Sequence, residues 1–374
     1  MKILFPMGAF YPSQIGGPCN TIYWHTSALH NQGFDPTVIT TSRGINEGEV
    51  LLNEMHELKC GTVYYGANAE FTRKEVTQLI TEIKAADIIH LNGLFSKISM
   101  FTFFYTMLFF SNKKIIWSVR GELNTSALAI SSWKKKILLF FYQLSSRKVL
   151  FHATSGVETN EISTNFPDAE VVTLPNFIEP HAKLDIPYKK SFLFVGRIHP
   201  IKSLHKLIDG FAQSRFFRVS EFSLVLVGKH EDRHQYYDAE LKKKINELNL
   251  EHKIIWKGHL TGLEKEKAYA SAYALCLLSE TENFGNVVVE ALNQGTPVIA
   301  STGTPWAILE EYACGWHIDN NPSTIASTID FIIKMDQNKY EAMRKNAQTL
   351  IKEEFDVNHQ ITKWTKTYEN AYKK

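Results

Sequence analysis

The sequence predicts an α/β protein built from two Rossmann-like, doubly wound parallel-sheet domains. Short apolar stretches alternate with segments of helical periodicity along nearly the whole chain, and this pattern is typical of a parallel sheet with helices on both faces. The alternation stops once, in a proline-rich segment at 174–188, and then starts again. The chain of 374 residues is also longer than one ordinary hydrophobic core requires, so two domains are expected.

The first domain is predicted to begin with a buried strand and to continue in strand and helix order. Pro18 at the start of the first helix and Gly33 just after its end fit the usual asymmetry of helix termini. The region before 74 is irregular and partly acidic, and no element beyond the second strand is predicted in it. The predicted strands are 2–6, 37–41, 87–91, 115–119 and 149–153, and the predicted helices are 18–32, 74–85 and 133–145.

The second domain repeats this order without an obvious sequence repeat, and Gly315 with Trp316 is interpreted as a turn. The predicted strands are 191–196, 223–227, 253–256, 274–278 and 296–300, and the predicted helices are 203–212, 239–248, 263–272, one beginning near 285, 323–336, 340–354 and 357–372. The domains are therefore expected at 1–180 and 181–355, with a hinge near 174–190. The helix in 356–374 is expected to cross back to the first domain.

The composition excludes several classes of function. With 41 basic and 39 acidic residues, the net charge of +2 gives no overall excess for binding nucleic acid. The four cysteines lack metal-ligand spacing and are expected to be buried free thiols, with neither zinc nor disulfides. The apolar run at 1–6 is too short for a signal peptide, which favours a cytoplasmic protein.

A predicted helix start at Gly285 is a candidate phosphate site. The strand at 274–278 leads to it, so the amides of residues 284–287 should lie at the carboxyl edge of the sheet. A helix N-terminus carries roughly half a positive charge and unpaired N–H groups, which suits a phosphate. Glu290 shares a helical face with Asn286, and Glu282 precedes the helix. Taken alone, the stretch fits a solvated acidic loop equally well.

Two cations are predicted at the same edge of the sheet. Arg197 and Lys202 follow the strand at 191–196, and ligands of open parallel sheets bind at the carboxyl ends of the strands. Arginine offers a planar fork and lysine a point charge, a combination that can hold a pyrophosphate together with the helix start. Either residue alone would be interpreted as a surface cation.

Motifs distributed over both domains contain these groups. They are Gly196-Arg-x(4)-Lys202, Glu282-Asn-Phe-Gly-Asn-x(3)-Glu290 and Gly295-Thr-Pro-Val-Ile-Ala300 in the second domain, and Gly16-Gly17, Ile89–Leu94, Val119–Glu122 and His152–Ser155 in the first. In this order they resemble the family 4 glycosyltransferases, retaining GT-B enzymes that use nucleotide sugars. The resemblance covers nearly the whole chain and implies two domains that face a central cleft.

Transferred position by position, the resemblance implies a donor site and a mechanism. Arg197 and Lys202 would hold the donor diphosphate, and Glu282 would contact the donor sugar, so these three are the expected catalytic residues. The expected donor-binding residues are Gly16, Gly17, Phe284, Gly285, Asn286, Val287 and Glu290, with Glu290 on the ribose. The donor is expected to be a nucleotide sugar such as a UDP- or GDP-sugar, with no further cofactor and no metal. The loops at Gly228 and His259 are candidates for contacting the base.

The first domain departs from the family pattern at one position. Many members place a histidine where this chain has Arg120, which could touch the donor, the acceptor or only Glu122. His90 and Asn92 occupy a place where the family often has two histidines, and both are candidates for the site. A lone histidine at a strand end is more often structural, and His152 is expected in the core.

Residues 97–148 combine positive charge with apolar runs. They contain nine basic residues and one acidic residue, a local charge of +8, and the apolar runs 98–110 and 137–142. A run of 13 residues is too short to span a bilayer, which needs about 20, but it could lie on an anionic membrane surface. Two core-facing helices with solvated lysines are an equally good interpretation. By family habit the acceptor would bind this domain.

The function expected from these features is a retaining glycosyltransferase that acts on a glycan or lipid-linked saccharide in surface polysaccharide synthesis. It would be cytoplasmic, or peripheral at the inner face of the membrane. The alternatives are a nucleotide-sugar epimerase or a phosphorylase of the same fold, or an inactive sugar-nucleotide binding subunit.

Overall fold

The computed structural model describes residues 1–129, 132–178, 182–229 and 235–374. The chain forms two compact units. The first contains the described residues up to 178 together with Val357–Lys374, and the second contains those from 182 to Asp356. The predicted domain boundary at 180 lies outside the described residues.

The first unit is an eight-stranded sheet with helices on its faces. Its strands are β1 (Lys2–Pro6), β2 (Asp35–Thr40), β3 (Met55–Leu58), β4 (Gly61–Tyr65), β5 (Ile88–Asn92), β6 (Lys114–Ser118), β7 (Val149–Ala153) and β8 (Glu170–Thr173). Its first helices are α1 (Gly17–Asn31), α2 (Arg73–Ala85), α3 (Lys97–Phe109), α4 (Thr125–Ala129), α5 (Ser132–Leu144) and α6 (Gly156–Asn165). The strand order is β3-β4-β2-β1-β5-β6-β7-β8, and only β3 runs antiparallel to its neighbour.

Two strands lie in the region expected to be irregular. β3 and β4 pair through a tight connection at Gly61, whose φ of +94° suits glycine. A Cβ at Gly61 would lie 2.4 Å from the carbonyl oxygen of Pro36. β4 is recognisable as a short apolar run, but the polar residues around it weaken that pattern. Helix α6 and strand β8 were also not predicted.

The second unit is a six-stranded parallel sheet. Its strands are β9 (Ser191–Val195), β10 (Ser223–Val227), β11 (Ile254–Gly258), β12 (Ala274–Leu277), β13 (Val298–Ser301) and β14 (Gly315–Ile318), in the order β11-β10-β9-β12-β13-β14. Its helices are α7 (Leu204–Gln213), α8 (Arg215–Val219), α9 (Gln235–Glu247), α10 (Gly262–Ser271), α11 (Asn286–Asn293), α12 (Ile308–Glu311), α13 (Pro322–Ile333) and α14 (Gln337–Glu354).

The interpretation of Gly315 and Trp316 as a turn is wrong. Gly315 begins β14, which pairs with β13 along its whole length. A Cβ at Gly315 would lie 2.2 Å from the carbonyl oxygen of Val298. The glycine therefore allows two strands to approach closely, a use of glycine that looks like a turn signal in sequence.

The last helix, α15 (Val357–Lys373), belongs to the first unit. It buries Trp364 and Tyr368 against Phe5 and Ile22 in the core of that unit. The hydroxyl of Tyr368 is thereby brought among the polar side chains of β5 and β6. All four cysteines of the chain are buried and unpaired, as predicted.

Candidate functional site

The second sheet contains a topological switch point. β9 and β12 are neighbours, while β10 lies on the other side of β9 and β13 on the other side of β12. Crossovers from two adjacent strands thus depart in opposite directions, which opens a crevice at their carboxyl ends. Arg197 and Lys202 follow β9, whereas Glu282 and Gly285 follow β12. The structure therefore brings the predicted residues of the second unit to one edge.

Two of the three predicted catalytic residues form an ion pair. The Lys202 ammonium contacts the Glu282 carboxylate, and the two side chains are only 14% and 18% exposed. The Ser279 hydroxyl donates to the same carboxylate at 3.3 Å. Arg197 lies exposed five residues before Lys202. The pairing holds the lysine at the crevice, where an incoming anion would meet it together with a carboxylate.

Glu280 is a site residue that the sequence reasoning missed. Its carboxylate accepts from the Ser203 hydroxyl at 2.6 Å and pairs with Lys206 at 2.7 Å. Burial alone would raise the pKa of Glu280, but the hydrogen bonds from Lys206 and Ser203 outweigh it and lower the pKa. The Glu280 amide also donates to the Ile201 carbonyl at 2.8 Å. These contacts tie the loop that carries Lys202 to the loop that carries Glu282.

Ser203, whose hydroxyl donates to Glu280, has an unusual backbone conformation. Its φ of 52° lies in the left-handed region, directly after the short 3-10 helix Pro200–Lys202. The Asn320 amide group donates to the Ser203 hydroxyl at 3.3 Å and to the Leu278 carbonyl at 2.8 Å. The residue that follows Lys202 is therefore held by contacts with residues distant in sequence.

Gly285 is required by the fold itself. It precedes α11 with φ of +81°, and a Cβ there would lie 2.8 Å from Leu277 Cδ2 and 3.2 Å from Glu282 Cγ. The bare backbone at this point lets α11 start against the end of β12. Asn286 and Val287 lie in the first turn of α11, the part of a helix whose backbone amides have no acceptor within the helix.

Phe284 contributes its backbone to this edge, because its side chain is buried. The ring packs against Trp306 and Phe355 at centroid distances of 5.2 and 5.8 Å. The Trp306 indole N–H donates to the Phe284 carbonyl. Trp306 is itself almost fully buried, so it packs beneath the loop.

Glu290 lies one turn inside α11 and is held by two residues that were not predicted. The Tyr269 hydroxyl donates to its Oε2 at 2.6 Å, and Lys265 pairs with the same oxygen at 2.7 Å. Burial, followed by the charge of Glu290, raises the pKa of Tyr269 well above its usual value. Tyr269 therefore remains a donor, and the carboxylate is fixed in direction.

Gly228 and His259 lie after β10 and β11 at the same edge. A Cβ at Gly228 would lie 1.8 Å from the Gly196 carbonyl oxygen, so the glycine lets the loops after β9 and β10 approach. His259 is largely exposed, and partial desolvation of its ring, followed by the nearby charges of Lys229 and Lys265, lowers its pKa. The base-binding roles expected for Gly228 and His259 stay predictions.

In the first unit, Gly16 and Gly17 lie at the start of α1. Gly16 has an extended φ of −168°, and a Cβ there would make only ordinary contact with Pro18, at 3.6 Å. The fold therefore does not require glycine at this position, in contrast to Gly285. Where the fold does not require glycine, as at Gly16, the close approach of a ligand to the backbone is one reason for a glycine to be there.

Arg120 is held between two asparagines. Its guanidinium donates to the Asn92 side-chain oxygen at 3.1 and 2.9 Å and to the Asn176 side-chain oxygen at 2.9 Å. The carboxylate of Glu122 instead accepts the amide of Phe95 at 2.9 Å. The interpretation of Arg120 as a partner of Glu122 alone is therefore wrong. Desolvation lowers the pKa of Arg120 to about 10, which still leaves it cationic at neutral pH.

His90 is fully buried, and both of its ring nitrogens are occupied. Nδ1 lies 2.6 Å from the Tyr368 hydroxyl and Nε2 lies 2.8 Å from the Ser118 hydroxyl. Desolvation, followed by the charges of neighbouring residues, lowers its pKa well below the usual value. His90 thus makes structural contacts inside the first unit, and its place among the candidate site residues stays a prediction.

The hydrogen bonds around His90 run in one direction. His152 Nε2 lies 2.8 Å from the Leu174 carbonyl, which can only accept, and desolvation keeps His152 neutral by lowering its pKa to about 3. His152 Nδ1 must then accept from Ser118 at 2.7 Å. Ser118 accepts from His90 in turn, and His90 accepts from Tyr368. One carbonyl fixes the tautomers of both histidines.

The same chain extends to α1. The Tyr368 hydroxyl, having donated its proton to His90, accepts from His25 Nε2 at 3.0 Å. Burial, followed by the charge of Arg120, lowers the pKa of His25 well below its usual value. The chain therefore connects α1, α15 and three strands through neutral groups.

Helices α3 and α5 carry apolar residues on two sides. Phe103 and Tyr142 pack in the core with their ring centroids 5.2 Å apart. The large apolar residues of these helices that are exposed to solvent are Phe104, Leu108, Phe109, Trp133, Ile137, Phe140, Phe141 and Leu144. We call this set the α3–α5 face. Burial in the core therefore accounts for only part of the two apolar runs.

Neither a metal cluster nor a membrane-spanning helix is found within the described ranges. No cluster of three or more His, Cys, Asp or Glu side chains there could hold a metal ion. Among those same residues, no helix is both long and apolar enough to cross a membrane.

Comparison with known proteins found similarity to glycosyltransferases. Residues 177–350 match the family described as Glycosyl transferases group 1. An uncharacterized glycosyltransferase of Methanocaldococcus jannaschii is 31% identical over 147 residues, which are 39% of this chain and 36% of that protein. The O-antigen chain mannosyltransferase RfbU of Salmonella typhimurium is 28% identical over 148 residues, 40% of this chain and 37% of that protein. The chain thus matches little more than a third of the length of these relatives.

Solved structures match over the whole chain. HepE of Anabaena in complex with UDP and glucose has a TM-score of 0.78 at 19% identity, covering 99% of this chain and 100% of that chain. Sucrose-phosphate synthase of Thermosynechococcus elongatus has a TM-score of 0.80 at 17% identity, covering 99% of both chains. At such low sequence identity, these matches show the fold alone.

Proposed function

From the premise that the chain has the GT-B fold and carries a glycosyl transferases group 1 domain, we propose that it is a retaining glycosyltransferase. It moves a sugar from a nucleoside-diphosphate sugar to a glycan or a lipid-linked saccharide. One observation carries the proposal: Lys202, Glu282 and the start of α11 meet at the switch point of the second sheet.

The donor diphosphate is held by Lys202, Arg197 and the amides of the first turn of α11. Breaking the bond between sugar and phosphate leaves negative charge on the diphosphate, and fixed positive groups stabilise that charge most effectively. The pair with Glu282 keeps the lysine in place before the donor binds. Because these groups supply the positive charge, the reaction needs no metal ion.

Glu282 serves the donor sugar and Glu290 serves the ribose. Within the described residues, the hydrogen bonds to Glu290 use Oε2, so Oε1 can accept from a ribose hydroxyl. Retention follows when the acceptor attacks the face from which the diphosphate leaves, with that diphosphate taking the acceptor proton. Two results would argue for a different function: epimerisation of the donor sugar would indicate an epimerase, and donor binding without turnover would indicate an inactive binding subunit.

The acceptor binds the first unit, which docks on an anionic membrane through the α3–α5 face. Exposed apolar and aromatic side chains beside lysines suit such a surface, where each cation contributes about 1 kcal/mol. Arg120 contributes a fixed cation at the carboxyl edge of the first sheet. The similarity to an O-antigen mannosyltransferase supports a role in surface polysaccharide synthesis at the inner face of the membrane.

The test is to incubate the protein with UDP- and GDP-sugars and to follow donor consumption. Release of free sugar with unchanged anomeric configuration supports a retaining transferase, because water replaces the missing acceptor. An epimerised nucleotide sugar would support an epimerase. Tight binding without consumption, measured by thermal shift, would support an inactive binding subunit.

A further inference from the structure

A basic cavity lies at the amino ends of β6, β7 and β8, on the edge of the first sheet opposite Arg120. Its volume is about 550 Å³. Its charged lining residues are Lys113, Lys114, Arg147, Lys148, Glu170 and Lys374, and its other polar lining residues are Ser111, Asn112, Thr367 and Asn370. The proposed donor site does not involve any of these residues.

The cavity has an excess of positive charge. Five of its lining residues are basic, against one carboxylate. That carboxylate, Glu170, is paired with Lys374 at 2.7 Å, and Arg147 pairs with Asp168 at 3.0 Å. Among the described residues, no ion pair involves Lys114 or Lys148. The cavity therefore suits an anion, and the two lysines provide its uncompensated charge.

A third lysine is fixed in position beside them. The Lys113 ammonium donates to the carbonyls of Lys84 and Ala86 at 2.8 and 2.6 Å. These carbonyls lie at the end of α2, so the cation is already held where the negative end of a helix favours it. Its charge still adds to the positive potential in the cavity.

The cavity adjoins the end of the α3–α5 face. α3 ends at Phe109, two residues before the lining residue Ser111, and α5 ends at Leu144, three residues before Arg147. Both terminal residues are well exposed, at 60% and 69%, and so is Leu108 at 74%. An anion in the cavity would thus lie beside apolar side chains that face solvent.

We propose that this cavity binds the phosphate headgroup of an anionic lipid, while the acyl chains of that lipid contact the adjoining end of the α3–α5 face. The inference rests on the proposed membrane docking and adds a specific headgroup site to it. A free phosphate needs only the charges, whereas a phospholipid uses the charges and the apolar border together. The lipid is therefore the occupant that accounts for both features.

The experiment compares a cavity variant with a variant of the same charge. The cavity variant is Lys114→Gln with Lys148→Gln. The control is Lys345→Gln with Lys352→Gln, two exposed lysines of α14 in the second unit. Co-sedimentation is measured with vesicles of phosphatidylcholine alone and with vesicles that also contain phosphatidylglycerol. The cavity variant is expected to lose roughly tenfold in affinity for the second vesicles, and the control is expected to match the wild type.

Each alternative outcome has a separate meaning. If the wild type binds neither kind of vesicle, the proposed docking is wrong and the headgroup site fails with it. If the wild type prefers phosphatidylglycerol but the cavity variant and the control bind equally well, docking stands and the headgroup site is overturned. If glycerol phosphate shifts the melting temperature of the wild type only, without any vesicle preference, the cavity takes a soluble phosphate and the lipid is excluded.

Discussion

The carboxyl edges of the two sheets hold polar side chains in opposite ways. In the second unit, Lys202 and Lys265 pair with carboxylates near the surface. In the first unit, His90 and His152 lie in a buried, neutral chain that ends on a backbone carbonyl. Partly exposed ion pairs can exchange a partner for a ligand, whereas a buried chain with every position occupied cannot do so without cost.

The comparison teaches that position in the fold does not by itself make a site. Both edges lie at the carboxyl ends of parallel strands, where ligands of such sheets bind. His90 occupies this edge but is turned inward to Tyr368 and Ser118. Arg120, two residues after Ser118, is a cation at that edge that is only partly buried. The test of each role is whether a substitution changes turnover or stability.

The largest effect is expected for Lys202→Ala. Loss of a fixed positive group aimed at the leaving diphosphate should lower turnover by on the order of a hundredfold or more, with the melting temperature little changed. The measurement is donor consumption at saturating nucleotide sugar. Lys206→Ala removes an equal charge one turn away, from the pair with Glu280, and should cost much less. A near-normal rate for Lys202→Ala would refute the role assigned to it.

The converse is expected for Tyr368→Phe, which should change stability and leave turnover nearly intact. Removal of the hydroxyl leaves His90 without its donor and His25 without its acceptor. Unsatisfied buried groups cost about 2 kcal/mol of unfolding free energy, measured as a lower denaturant midpoint with unchanged slope. Tyr372→Phe on the same helix is the control, because Tyr372 is exposed. Equal stability of the two variants would contradict the one-way chain.

The difference between the two edges explains what the sequence could predict. Strand periodicity was sufficient to place Arg197 and Lys202 at one edge with Gly285, because the carboxyl ends of parallel strands lie together. The pairing of Lys202 with Glu282 was not predictable, since the two residues are 80 positions apart in sequence and lie in loops that only the folded sheet brings together. Tyr269 and Lys265 were missed for a similar reason. They come from α10, and only packing of α10 on α11 brings them to Glu290.

The buried chain was still harder to predict. Tyr368 is 278 residues from His90 in sequence, and its hydroxyl reaches the sheet only because α15 packs in the first unit. In the sequence, His90 lies near the carboxyl end of a predicted strand, where ligands bind. The sequence does not show that its side chain contacts Tyr368 and Ser118 in the core. The apolar runs in 97–148 were difficult for the same reason. Their periodicity does not show which apolar side chains pack in the core and which are exposed to solvent.

The histidine chain also predicts a pH dependence of stability. The pKa of His152 is lowered in the folded state to about 3 from a usual value of 6.5, so the unfolded state binds a proton first as the pH falls. Stability should be full above pH 6.5 and decline below it. Between pH 7.5 and 5 the loss from this residue should be about 1–2 kcal/mol.

Denaturant unfolding at the two pH values measures this loss, and His152→Asn should reduce it. The exposed His30→Asn serves as the control, because it leaves the chain intact. An equal pH dependence in all three proteins would show that His152 is not held neutral by burial. The second unit contributes no buried histidine of this kind among the described residues, so the decline should begin in the first unit.

The smallest effect is expected for Glu290→Gln. The amide keeps an acceptor for a ribose hydroxyl but loses the charge, so the KM for the donor should rise roughly fivefold to tenfold, about 1 kcal/mol, with kcat nearly unchanged. Glu264→Gln, which removes an exposed partner of Lys267, is the control and should leave KM unchanged. An unaltered KM would mean that Glu290 only anchors Lys265 and Tyr269. The ion pair of Glu290 would then be structural, like the buried histidine chain of the first unit. Lys202 would be the residue of this comparison whose ion pair exchanges its partner for a ligand.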